Sequence, residues 1–282
     1  MYDYKMPLTL GNECAGTVEA KGKNVKDFEI GDSVYCRMPI KKIGSITEFA
    51  AVKANAAAKM PNEFDFHTAC AIPLTGLTAY QEYKTIFNAK EGDTVFINGG
   101  SGSLGEMVVP LGYTLGLKII VSGNAAAQES MLAMGAYKYI DYKKENYWEV
   151  ISDVDFVIDA LGAKEFDREL RVLKKGGILL SLRIGPNKSF AERYGFIGLK
   201  KFLFALAGAK YDKAAAKQGK KYEFMFVQAN GKQLKEITEI VEKRNIRPKT
   251  SPIKYTINNS SEAVLAVKNG TSKGKPVIDF EK

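Results

Sequence analysis

Histidine and cysteine are scarce in this chain, whose 282 residues hold one histidine and three cysteines. A lone imidazole, His67, cannot build a histidine-based metal centre or acid–base network. Its place after Phe66, at what reads as a helix start, marks it as structural. Cys14, Cys36 and Cys70 stand far apart, with no CxxC pair and no even-numbered framework. That fits small buried thiols in a reducing, cytoplasmic compartment. Long apolar runs are missing too. None reaches the roughly 18 to 20 residues that cross a bilayer, and the richest stretch, Phe196 to Leu206, is broken by Lys200 and Lys201. The opening residues lack the basic-then-apolar pattern of an export signal.

What is present is an ordinary globular composition, 45% hydrophobic and 26% charged. The length suits one large domain or two modest ones. The net charge of +9 is unevenly spread, with seven lysines against one acid, Asp212, between Lys200 and Lys221. This run reads as a solvated helical face whose charge attracts a phosphorylated cofactor. Contact with nucleic acid or an anionic membrane is the alternative, less favoured because no stacking motif or base-reading module accompanies the lysines.

Residues 1–70 are rich in Gly, Val and Thr, with strand-like runs at Ala15 to Ala20, Ser33 to Arg37 and Ile46 to Val52 broken by turn signals. From about Ala69 to residue 227 helices and strands alternate. Thr68 to Phe87 reads as a helix interrupted near Pro73 and Gly76, followed by strand Thr94 to Asn98 and helix Ser103 to Leu115. Strand Lys118 to Ser122, helix Ala125 to Met134, strand Lys138 to Ile140 and strand Asp155 to Asp159 continue the series. A helix at Glu165 to Leu173, strand Ile178 to Leu182, an amphipathic helix at Ile197 to Ala209 and strand Tyr222 to Val227 complete it. Such alternation predicts a parallel sheet wound in right-handed βαβ units. Residues 228–282 predict two helices, Gln233 to Lys243 and Ser261 to Lys268, with strands near Lys254 to Ile257 and at Lys275 to Phe280.

The strongest motif is Gly100-Ser101-Gly102-Ser103-Leu104-Gly105, a GxGxxG that follows a strand and opens a helix, the context in which it carries meaning. The first glycine permits the tight turn, the second lets backbone approach a pyrophosphate, and the third allows close helix–strand packing. The diphosphate would sit on the free N–H groups of the helix start. An NAD site places an acid at the end of the second strand to bind the ribose 2′-hydroxyl. Here that strand ends in Ser122, Gly123 and Asn124, which can donate to a 2′-phosphate instead. The reading is therefore NADPH, with Tyr142 and Lys143 as further donors and Leu161 and Gly162 bordering the site at the end of the fourth strand. Asp159 beside them reads as structural.

The order of motifs resembles the medium-chain dehydrogenase/reductase superfamily, in particular its zinc-free, quinone-oxidoreductase-like branch. The matching pieces are Leu10-Gly11-Asn12-Glu13-Cys14-Ala15-Gly16, Gly31-Asp32-Ser33-Val34, Ala71 to Ala79, the Gly100 loop, Asp141-Tyr142 and Gly274-Lys275-Pro276-Val277. The resemblance implies an α/β fold with a Rossmann doubly wound parallel sheet, and a GroES-like β domain built from residues 1–70 and 228–282. Relatives carry further strands before the Leu10-Gly11 segment, so the GroES-like domain is expected to be N-terminally shortened. Zinc-dependent relatives have His where Asn12 stands, together with cysteine ligands; this sequence has neither, which implies a metal-free enzyme. The resemblance further places Thr78 near the nicotinamide and Lys275 near the cofactor, and suggests a homodimer.

The expected activity is transfer of a hydride from NADPH to a quinone or enone. Asn12 and Tyr80 are the candidate donors to the oxygen that gains negative charge. Two alternatives stay open: reduction of enoyl thioesters, and a low-turnover dinucleotide-binding protein that associates with membrane or nucleic acid. The pairs Tyr80-x-x-x-Lys84 and Tyr139-x-x-x-Lys143 mimic short-chain dehydrogenases, but that family's glycine spacing is absent and chance accounts for them.

Overall fold

A computed structural model describes residues 4–280 of the chain. The chain divides into two compact units, residues 1–80 with 227–282, and residues 81–226. The division after Tyr80 comes later than the boundary at residue 70 expected from composition. Met1 to Asp3 and the last two residues of the expected C-terminal section lie outside the described residues.

The first unit opens with an antiparallel sheet of β1 (Glu13–Thr17), β2 (Ser33–Arg37) and β3 (Ala57–Lys59). β1 starts two residues earlier than expected because its partner is β2, with Glu13 opposite Arg37 and Thr17 opposite Ser33. The expected strand at Ile46 to Val52 does not form. Its backbone makes single bonds instead, Ile46 N–H to Leu10 (2.8 Å) and Thr47 N–H to Ser45 (3.0 Å), and Phe49 is exposed. Apolar composition alone cannot make a strand without a ladder to join. The helices α1 (Phe66–Ala69) and α2 (Pro73–Gln81) follow, the first capped by the Asp65 carboxylate accepting from Thr68 N–H.

The second unit continues from a π-helical turn, Glu82–Phe87, into β4 (Thr94–Asn98), α3 (Gly105–Thr114), β5 (Lys118–Gly123), α4 (Gln128–Ala133) and β6 (Lys138–Asp141). It goes on through α5 (Tyr147–Val150), β7 (Val154–Asp159), α6 (Phe166–Val172), β8 (Leu173–Ser181), α7 (Lys188–Arg193), α8 (Gly198–Lys217) and β9 (Lys221–Phe224). All six strands are parallel, in the order β6-β5-β4-β7-β8-β9. Strands leave β4 in opposite directions, so the sheet has its switch point between β4 and β7, where doubly wound folds bind ligands. Near-continuous apolar strands, such as Val95-Phe96-Ile97 with no exposure at all, are what a sheet covered on both faces requires.

Helices α5 and α7 were not legible in the sequence, and α8 runs eight residues past the expected Ala209. The Ala214-Ala215-Ala216 stretch carries it on, as the best helix former should. An aromatic cluster fastens α7 and α8 to the sheet edge. The fully buried Phe190 ring lies 4.5 Å from Tyr194, 5.6 Å from Phe204, 5.3 Å from Phe224 and 5.4 Å from Phe226, centroid to centroid.

The chain then returns to the first unit as α9 (Gly231–Arg244), β10 (Tyr255–Thr256), α10 (Ser260–Lys268) and β11 (Ile278–Asp279). β10 and β11 pair in parallel, both shorter than the strands expected there. Tyr35 fixes α9 to the sheet, its hydroxyl 2.8 Å from that of Thr238. Removing the ring that centres the aromatic cluster leaves a cavity, so Phe190→Ala is expected to cost about 3–5 kcal/mol. Urea unfolding followed by circular dichroism measures it, and a loss under about 1 kcal/mol would mean the cluster does not hold α7 and α8 in place.

Candidate functional site

The chain turns sharply after β4. Gly99 adopts φ +77°, and Gly100 N–H bonds back to the Ser122 carbonyl of β5 at 2.9 Å. Gly105 then starts α3 so close to the Gly100 carbonyl that a β-carbon there would collide with its oxygen. Gly100 itself has no room either, since a β-carbon would lie 2.8 Å from Ile97 Cγ2 and 2.9 Å from Val121 Cγ1. Gly102 is different: it is exposed, with nothing within 4 Å of the β-carbon position. The loop is thus packed at its base and open at its crest. No side chain caps the start of α3 at Leu104, which leaves N–H groups there for an anion.

The other candidates in this unit gather at the carboxyl edge of the same sheet. Asn124 Nδ2 donates to Ser101 Oγ at 3.2 Å, and Tyr139 OH donates to the Asn124 carbonyl at 2.6 Å. A β-carbon at Gly123 would strike the Tyr139 hydroxyl and come within 2.5 Å of Ser101 Cβ. Ser122 is buried, whereas Asn124 and Tyr142 are exposed. The carboxylate nearest in register, Asp141 opposite Gly123, is buried and accepts from Lys143 N–H at 3.1 Å. Tyr139, read in the sequence as part of strand Lys138 to Ile140 and as half of a chance pair, is therefore an integral part of this edge. The signal was its place one residue before the buried Ile140 in a short strand.

On β7, Asp159 is wholly buried. Its Oδ1 accepts from Leu161 N–H (2.8 Å) and Gly162 N–H (2.6 Å), and its Oδ2 from the Ser181 hydroxyl (2.6 Å). It shapes the turn in which Gly162 takes φ +103° and Leu161 stays exposed. Beneath lies a carboxyl that sequence inspection did not find. Glu169 is fully buried on α6, accepts from Asn98 Nδ2 at 2.9 Å, and leaves Oε2 without a partner. Burial, then the neighbouring Asp159 charge, push its pKa up to about 9, against the opposing Asn98 hydrogen bond. Glu169 is thus neutral at neutral pH.

The remaining candidates belong to the first unit. Asn12 is exposed, and its carbonyl accepts from Met38 N–H at 2.6 Å. Thr78 is buried with its hydroxyl donating to the Leu74 carbonyl at 2.7 Å. Tyr80 donates its hydroxyl to the Glu236 carboxylate, and burial followed by that carboxylate pushes its pKa up to about 12. Lys275 forms an ion pair with Glu13 and donates to the Ala71 carbonyl at 3.1 Å, while Glu13 also accepts from Leu74 N–H at 2.8 Å. The motif segments at Glu13, Ala71-Leu74 and Lys275, remote in sequence, are joined by this one clamp. His67 Nδ1 lies 3.0 Å from Thr250 Oγ1, in keeping with a structural role.

The cysteines are less scattered than their spacing suggests. Cys14 and Cys36 are direct partners across β1 and β2, their sulfurs 3.3 Å apart as free thiols. Among the described residues, no group of three or more His, Cys, Asp or Glu side chains could hold a metal ion.

Comparison with known proteins agrees with this architecture. Residues 134–278 match the family model "Zinc-binding dehydrogenase", and residues 1–62 match "Alcohol dehydrogenase GroES-like domain". The chain belongs to the medium-chain dehydrogenase/reductase superfamily and is an oxidoreductase. It is 28% identical to the mouse "NAD(P)H oxidoreductase RTN4IP1, mitochondrial" over 98% of this chain and 71% of that protein. It is 32% identical to the Arabidopsis thaliana "NADPH-dependent alkenal/one oxidoreductase, chloroplastic" over 64% of this chain and 48% of that protein. Its fold is that of an alcohol dehydrogenase superfamily protein from Novosphingobium aromaticivorans, with TM-score 0.80, 24% identity, and coverage of 98% and 83% of the two chains. It is also that of the Escherichia coli quinone oxidoreductase complexed with NADPH, with TM-score 0.73, 21% identity, and coverage of 97% and 82%.

Two outcomes follow from the buried groups. Because the Glu169 pKa is raised on folding, the stability it permits is full below its unfolded value near 4.5 and drains away as pH climbs through about 9. Glu169→Gln is expected to flatten the fall in Tm between pH 5 and 9. Parallel melting curves for the two proteins would refute a neutral carboxyl. In the first unit, Lys275→Met leaves the Glu13 carboxylate with its cation gone. A loss of roughly 3 kcal/mol in denaturant unfolding is expected, and an unchanged midpoint would show that the clamp carries no stability.

Proposed function

We propose that the chain is an NADPH-dependent, zinc-independent reductase of quinones or α,β-unsaturated carbonyls. The observation that carries this reading is the open Gly102 crest over an uncapped α3 start, beside a β5 end of Ser122, Gly123 and Asn124 that carries no carboxylate. The crest suits a diphosphate. The β5 end suits a ribose bearing a further phosphate, which an acid would repel. Ser101, Tyr139, Tyr142 and Lys143 are the nearby groups able to border that phosphate, and the NADPH in the names of the Arabidopsis and Escherichia coli proteins supports the choice.

When bound, the cofactor supplies the hydride. The residues of this chain bind, orient and polarise. Gly100 makes the turn beneath the loop, Ser101, Gly102, Ser103 and Leu104 present backbone to the diphosphate, and Leu161 with Gly162 forms the wall after β7. Thr78 is assigned by family resemblance to the nicotinamide, and Lys275 to the cofactor's phosphates or ribose. Lys275 acts there as the partner of Glu13, which holds its position. Asn12 is the preferred donor to the substrate oxygen, since Tyr80 already commits its hydroxyl hydrogen to Glu236. A carbonyl oxygen that gains enolate character would be stabilised by such a donor. Independence from zinc rests on the donor set: an amide, Asn12, stands where zinc relatives carry an imidazole. The three free thiols support a reducing compartment such as the cytoplasm.

The test is a 340 nm assay of NADPH and NADH oxidation with a quinone, an alkenal and an enoyl thioester. Faster turnover with NADPH and a quinone or alkenal is expected. Turnover confined to the thioester would reassign the substrate, and none at all would favour a binding protein. Gly102→Asp puts a negative side chain into open space, so the fold is kept while NADPH affinity drops by about tenfold or more, roughly 1.4 kcal/mol. Unchanged affinity by fluorescence titration removes the site.

A further inference from the structure

Helix α8 has an outer face that the oxidoreductase reading does not use. Phe204, Gly208, Tyr211 and Ala215 turn inward, with Phe204 and Tyr211 packed on the aromatic core. Gly208 sits so close to Asn187 that a β-carbon there would collide with it. At 3.6 residues per turn, positions 199, 202, 203, 206, 210, 213 and 217 then share an outward arc of about 100°.

The first half of that arc is apolar and bare. Leu199 is 72% exposed, Phe202 62%, Leu203 50% and Leu206 64%, with Ile197 at 83% just before them. The second half is Lys210, Lys213 and Lys217, all exposed, and Lys200 flanks the apolar end. The carboxylates close by are already engaged. Glu192 pairs with Lys201 at 3.0 Å, and Asp212 accepts from Asn187 Nδ2 at 2.7 Å on the inner side.

Leucine and phenylalanine side chains clustered in water with ammonium groups along the same face are what an interfacial helix presents to lipid. No helix among the described residues is long and apolar enough to cross a membrane, so the helix would lie on the surface. We propose that α8 docks the protein on an anionic lipid surface, its Leu199–Leu206 half sunk at the acyl boundary and its lysines on lipid phosphates. Charge decides among possible occupants. A second copy would bring an identical lysine ridge to the interface with no carboxylate to meet it. A nucleic acid would meet the lysines but leave the apolar half in water. The inference is independent of the proposed reaction and its test needs no cofactor.

The experiment is flotation of the full chain with vesicles of phosphatidylcholine alone, or with roughly 30% phosphatidylserine. Binding is expected only to the anionic vesicles, and weaker at high salt. The triple variant Lys210→Gln, Lys213→Gln, Lys217→Gln is expected to lower partitioning by roughly 100-fold. Phe202→Ser with Leu206→Ser is expected to abolish it, and both sets are surface changes that leave the melting temperature in place. Failure to float, or flotation indifferent to both sets, overturns the proposal. So does a dimer in sedimentation equilibrium that the serine variant disperses, which would assign the face to a second copy. RNA binding lost only in the lysine variant would likewise overturn it.

Discussion

The second unit depends on the close approach of Gly105 to the Gly100 carbonyl. Where a β-carbon would strike oxygen, the chain can leave β4, turn and enter α3 in a handful of residues. That contact aims the start of α3 at the carboxyl edge of the sheet. It also sets Gly102 at the crest with open space beyond it. A larger residue at position 100 or 105 would meet side chain or backbone at once and push the helix off the sheet.

Polar groups beneath this turn hold the neighbouring strand ends in register. Asp159 accepts three hydrogen bonds from the turn after β7 and from Ser181, so both of its buried oxygens are satisfied. Glu169 meets the same low-dielectric surroundings with one donor, Asn98, and stays protonated. Two carboxyls in one buried cluster are thus served differently, because backbone amides reach one and not the other. In the first unit the Glu13–Lys275 pair does comparable work, tying the C-terminal segment to β1 and to the start of α2.

The alternation of apolar strands and helices was enough to read the doubly wound sheet. Thr94–Asn98, Lys118–Gly123 and Val154–Asp159 fall within one residue of their sequence readings, since their apolar runs are bounded by turn residues. The glycine loop and its missing acid were legible for the same local reason. The run at Ile46 to Val52 was misleading because pairing, not composition, makes a strand. Lys275 stood out in the sequence as part of a resemblance, but nothing local revealed its partner Glu13. The charge run at Lys200 to Lys221 was visible, yet not that its lysines share a face with bare leucines.

Local chemistry, then, was determined by the sequence itself: glycines where backbone must pass close, Asn in place of His at position 12, and no carboxylate at residues 122–124. These depend on residue identity within a few positions, which a chain carries with it in any context. Tertiary structure decided the rest. Cys14 met Cys36, Glu169 lost water and gained only Asn98, Tyr80 found Glu236, and α8 turned its apolar half outward. Each of these is a matter of burial or of a partner far away in the chain, and free energies of desolvation and pairing exist only once folding has brought such groups together.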